Sequence, residues 1–127
     1  MAFHAGELSN EEAELLDEGL TLFDNGQFWH AHEAWESLWN GLKIRHAYEE
    51  EVLLVQGLIQ TAALLLHHQR KNVSGVNKQW EKLQPKLAGW QHAWGLDIQA
   101  HLQAVSNYVH DNGTWSLQAT DHQVPRA

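Results

Sequence analysis

Residues Phe28 to Trp39 read FWHAHEAWESLW, and this stretch decides how the chain is understood. It carries four aromatic residues, two histidines and two carboxylates, with no glycine or proline. Wound as a helix at ~100° per residue, Phe28, Ala31, Trp35, Leu38, Trp39 and Leu42 fall in one apolar arc. His32 falls inside that arc beside Trp39, and Glu36 lies on its edge one turn later. Glu33 points further out. A histidine and a carboxylate at i, i+4 therefore leave the same partly buried face, where polar groups need partners.

Toward the N-terminus, Ser9 followed by Glu12 forms a capping box that starts a first helix. Leu15, Leu16, Gly19, Leu20, Leu22 and Phe23 give that helix its apolar face, and Asn25-Gly26 ends it. The FWHAHEAW helix follows from about Gln27, with Gly41 as its expected end, so the two make an antiparallel hairpin. A third helix is expected from His46 to Gln69. It is apolar nearly all round, as a central helix is, except for a stripe of Glu49, Gln56, Gln60 and His67 within ~40° on the helical wheel.

Asn72 or Ser74 caps a fourth helix with Val76, Trp80, Leu83 and Leu87 as its seam, and Pro85 is expected to end or kink it near Gln84. A Trp-bearing connector spans Ala88 to Gly95. Asp97 then caps a fifth helix with Ile98, Leu102, Val105 and Val109 on one side. Trp35-Glu36 and Trp80-Glu81 echo each other after turns. Two loose copies make two similar hairpins rather than a solenoid. The expected fold is all-α: a compact five-helix bundle of two helical hairpins plus a C-terminal helix, with no sheet. Residues 1–112 form the domain and residues 113–127 a loosely ordered tail anchored only by Trp115 and Leu117.

Composition narrows the function classes. A chain of 127 residues that is 43 % hydrophobic can bury a core. The absence of cysteine leaves only histidine and carboxylate as metal ligands and suits a reducing cytoplasm. The formal net charge is −8, and 12 of the 16 acidic residues fall within residues 1–51. Such a chain, with no basic stripe, is a poor binder of nucleic acid or anionic membranes. MAFHAGELSNEE has neither a basic n-region nor an apolar h-region, as expected without a signal peptide. The longest apolar run, Val52 to Leu66, is broken by Gln56 and Gln60 and is too short to span a bilayer.

Two blocks also point to a family. FDNGQFWHAHEAWESLW, then QGLIQTAALLLHH, then a short Asn/Gly turn and a helix, then WGLDI, together resemble domain of unknown function 309, over roughly residues 13–110. Its His-x3-Glu-x2-Trp/Tyr hallmark is matched by His32, Glu36 and Trp39. Its Gln-Gly-x-Ile-Gln-x-Ala block is matched by Gln56, Gly57, Ile59, Gln60 and Ala62. The resemblance implies a small all-helical protein and a metal-binding role for the His-Glu pair, with no established reaction.

Together these mark His32, Glu36, Trp39, Gln56 and Gln60 as a polar pocket between the second and third helices, where bundles place ligand sites. In one reading the pocket belongs to a small cytoplasmic binding or accessory domain, taking a small ligand or a protein, alone or as a homo-oligomer. In another, His32 and Glu36 hold a divalent metal ion for a hydrolase. Tight zinc sites take three or four ligands, so Glu33, Glu49 or His67 would have to complete the set. His32-Glu33-x-x-Glu36 lacks the second histidine of the zincin HExxH, which excludes that peptidase chemistry. The pair without metal could act as a general base, although no nucleophile stands near it: Ser37 is turned away from His32. In a third reading the four polar groups bond only to one another and fix helix register. Elsewhere, His30 and much of Glu49 to Glu51 are expected to face solvent, and His68 to favour its helix C-terminus.

Overall fold

The computed structural model describes residues 3–127. Each of the five helices has its own local cause. Helix α1 (Asn10–Asp24) begins at the Ser9 capping box, with both reciprocal bonds formed. Its Leu16, Leu20 and Phe23 are buried, and a three-residue turn leads into α2 (Phe28–Ile44). The Arg45 guanidinium after α2 donates to Glu12 in the first turn of α1 at 2.6 Å, so the two helices run antiparallel. Between them the Trp35 indole lies on Gly19, where a Cβ would overlap it, and donates to the Leu16 carbonyl at 3.2 Å.

Helix α3 (Glu49–Gln69) is the central element, packed against both α2 and α4. Its Leu54, Val55, Leu58, Ala62, Leu64 and Leu65 have no exposed surface. Helix α4 (Val73–Leu87), capped by the Asn72 side chain on the Gly75 amide, returns along it. Gly57 admits Leu87 there: a Cβ on Gly57 would stand 2.7 Å from Leu87 Cδ2. Helix α5 (Ile98–His110), capped by Asp97 on the Ala100 amide, crosses α4 and α3. The fold is thus all-helical, two hairpins plus a C-terminal helix.

Several expectations are corrected. Helix α2 passes through Gly41 to Ile44, drawn on by the buried Leu42. Helix α4 passes through Pro85 because the proline costs one bond in the last turn while Leu87 is fully buried beyond it. Helix α3 starts at Glu49, since His46 adopts a φ of 56°. A small sheet exists: β1 (His92–Ala93) and β2 (Leu96–Asp97) form an antiparallel hairpin. Its two-residue turn has positive φ at both Trp94 and Gly95, the tight turn that matches strand twist.

Residues 113–127, expected to be loose, pack on the bundle. Ala119, His122 and Val124 are buried. The Val124 amide donates to Asp24 Oδ1 at 2.9 Å, and Arg126 bonds Asp24 Oδ2 at 2.8 Å. The Asp97 amide donates to the Pro125 carbonyl and the Ala127 amide to the Gly95 carbonyl, so the last residues lie along the hairpin.

Candidate functional site

The cleft of interest runs between α2 and α4, over α3. One wall is His32, Glu36 and Trp39 of α2. The floor is Gln56, Ile59, Gln60 and Ala63 of α3, and the far wall is Gln79 and Lys82 of α4. Its volume is about 300 Å³. All five residues marked in the sequence border it. The fourth helix, however, supplies a wall that was not foreseen. Gln79, Lys82 and Lys86 follow one another at helical spacing, so the sequence contains that polar stripe but not the direction it faces.

Geometry separates these residues further. The His32 imidazole stacks on Trp29 with a centroid separation of 5.3 Å and an interplanar angle of 4°. Its Nδ1 lies 3.5 Å from Glu36 Oε2 and makes no hydrogen bond. Glu36 is half exposed. Trp39 supports the Lys43 ammonium on its ring face, 3.3 Å from the centroid, and its Nε1–H is buried without an acceptor. Gln60 bonds neither His32 nor Glu36; its Oε1 accepts from Lys86 Nζ at 3.1 Å. Burial lowers the Lys86 pKa, and neighbouring Lys82 adds to the shift.

The remaining candidates lie elsewhere. Glu33 pairs with His30 at 3.3 Å, both exposed. His67 faces the start of α4, its Nδ1 3.3 Å from the Asn72 side-chain nitrogen, and a Cβ on Gly75 would overlap its ring. Glu49 borders a different hollow with Phe3, Pro85, Lys86 and Trp90. Glu51, expected in solvent, is buried and accepts from the Gly6 amide at 3.0 Å. None of these completes a ligand set with His32 and Glu36. Among the described residues no group of three or more His, Cys, Asp and Glu is placed to hold a metal ion. Two donors do not fit a resident tight metal.

Two buried histidine pairs lie outside the cleft. His68 Nε2 meets Asp111 Oδ2 at 2.8 Å, both buried. Hydrogen bonds from Ser116, outweighing burial, with help from the Leu117 amide and His68, hold the Asp111 carboxyl far below its ordinary pKa. His101 bridges Thr61 Oγ1 at 3.0 Å and His122 Nε2 at 2.9 Å, stacked on the latter ring at 12°. Burial, with His122 adding to it, pushes the His101 pKa down to about 3. Both pairs fasten the C-terminal segment to the bundle.

Another groove, of about 490 Å³ and lined in part by Glu18, His30 and Glu33, opens between α1 and α2. The choice between the two rests on unmet bonding. Of the four buried side-chain atoms without a partner among the described residues, His32 Nδ1 and Trp39 Nε1 belong to residues of the α2–α4 cleft, and none to the larger groove.

A family model described as Domain of unknown function (DUF309) matches residues 16–79, half of the 127-residue chain. The match carries α1 from Leu16, then α2, α3 and the first half of α4. Lys82, Lys86, α5 and the C-terminal segment lie beyond it. No curated protein matches the chain.

Proposed function

The chain belongs to the DUF309 family, a domain of unknown function, and from that premise we propose that it is a small ligand-binding domain whose site is the α2–α4 cleft. One observation carries the reading: His32 Nδ1 and Trp39 Nε1 are buried without hydrogen-bond partners, beside amides of Gln56 and Gln60 that do not satisfy them. A network built only for stability would pair such groups, since each orphan costs ~1–3 kcal/mol. Groups kept unpaired at a cleft wall are suited to a ligand.

Calorimetric melting with a panel of small polar metabolites tests this reading. A ligand of the cleft raises the melting temperature of the wild-type protein and fails to raise that of His32→Ala or Gln56→Leu. Equal shifts in all three proteins, or none with any compound, would remove the proposal.

The second reading, a metal-dependent hydrolase using His32 and Glu36, has one observation in its favour: the unpartnered imidazole nitrogen 3.5 Å from a carboxylate oxygen. It lacks a third protein ligand. Elemental analysis of tag-free protein, with His32→Ala as control, separates the two. Stoichiometric zinc, manganese or iron that the variant loses would replace the first reading with the second.

A further inference from the structure

The charges around the cleft are divided by wall. The α2 wall brings one carboxylate, Glu36, at the rim. The α4 wall brings Lys82, and Lys86 stands one turn further along, against the floor residue Gln60. Among the described residues neither ammonium forms an ion pair. Lys86 Nζ is instead held by two neutral oxygens, Gln60 Oε1 at 3.1 Å and the Lys82 carbonyl at 2.9 Å.

Hydrogen-bond direction then decides what the cleft presents. With Oε1 engaged by Lys86, Gln60 keeps its amide N–H groups free to donate, and among the described residues no side chain accepts from them. Trp39 Nε1–H, on the opposite wall, likewise has no acceptor. The Lys82 ammonium, the Gln60 amide and the Trp39 indole thus belong to residues that line one space, with Lys86 held behind Gln60. Donors that no protein acceptor meets suit an oxyanion, and charge-assisted bonds are the stronger kind. An anion would also offset the repulsion from Lys82, which adds to burial in lowering the Lys86 pKa.

We propose that the cleft takes a small molecule through an oxyanion group, a carboxylate or a phosphate, bound by Lys82 and the Gln60 amide, with Lys86 adding positive charge from behind Gln60 and the Trp39 indole donating from across the cleft. His32 and Glu36 then face the remainder of that molecule. The proposal rests on the cleft being a ligand site and adds the chemistry of what it binds.

The probes are sodium phosphate and sodium acetate, titrated into the full 15N-labelled chain at constant ionic strength. The readout is the Trp39 indole and Gln60 side-chain amide resonances, assigned with Trp39→Phe and Gln60→Glu. We expect saturable shifts in the ~millimolar range, with whichever anion shifts them at lower concentration naming the headgroup. Lys82→Gln should weaken binding at least ~tenfold, and the exposed Lys78→Gln should leave it unchanged. Shifts reproduced by sodium chloride, or weakened equally by Lys78→Gln, would overturn the proposal. If ethylammonium or zinc ions move these resonances and neither anion does, the anion assignment falls while the cleft remains a ligand site. If no probe moves them, the anion assignment falls, and the metabolite melts decide the cleft reading separately.

Discussion

The Thr61 hydroxyl donates to the Leu58 carbonyl at 2.7 Å, so its oxygen is left to accept from His101 Nε2–H at 3.0 Å. His101 Nδ1 is then an acceptor, and His122 Nε2–H donates to it at 2.9 Å. The chain of bonds requires a neutral His101. Its pKa falls from 6.5 to about 3, so between those values the unfolded chain holds a proton that the native chain lacks. Stability therefore rises with pH across that window and falls on acidification, by up to ~1.4 kcal/mol per pH unit. Urea midpoints measured from pH ~7 down to pH ~4 should show this loss, and His101→Gln should start less stable and show a shallower slope. The network as a whole was not legible in the sequence. Thr61, His101 and His122 are 40 and 21 residues apart, and no local pattern links them. A partial signal was present, since Ile98, His101, Val105 and Tyr108 share one helical face. The buried seam of α5 is this face rather than the expected one with Leu102 and Val109.

At the scale of elements, what was legible was local. Ser9 with Glu12, Asn72 and Asp97 all act as caps because capping is settled within four residues. Helix ends were misread at Gly41 and Pro85, where buried leucines beyond them outweigh intrinsic propensity. The β1–β2 hairpin was invisible because two-residue strands carry no periodicity. Gly57 sets the approach of α3 and α4, so Gly57→Ala should push Leu87 out of its place. Overpacking of this kind costs ~1–3 kcal/mol, and thermal melts followed by circular dichroism measure it. The C-terminal segment hangs on Asp24. Asp24→Ala removes the acceptor of the Val124 amide and the partner of Arg126. Hydrogen exchange at Val124 should accelerate, while amides in the middle of α3 keep their protection.

Across the whole molecule, the uneven charge seen in the sequence takes a spatial form. The exposed Glu11, Glu14 and Glu18 lie on α1, at one flank of the helix array. Lys78, Lys82 and Lys86 lie on α4, at the other. The α4 flank is thus the more basic of the two. Among the described residues no helix is long and apolar enough to cross a membrane. The five marked residues line one cleft because α2 and α3 pack as a sequence of two apolar faces demands. The lysine wall depended on where α4 came to rest.

The central claim is that the cleft's polar residues serve a ligand rather than one another. Gln60 bonds Lys86, not His32 or Glu36, so Gln60 and Glu36 should be energetically independent. Urea melts of Gln60→Leu, Glu36→Gln and their double mutant measure that directly. The account predicts a coupling energy within ~0.5 kcal/mol, with any cost of Gln60→Leu coming from the lost Lys86 bond and unchanged in the Glu36→Gln background. Destabilisation of ~1–3 kcal/mol with strong coupling between the two would instead make the cluster a structural network and contradict the account.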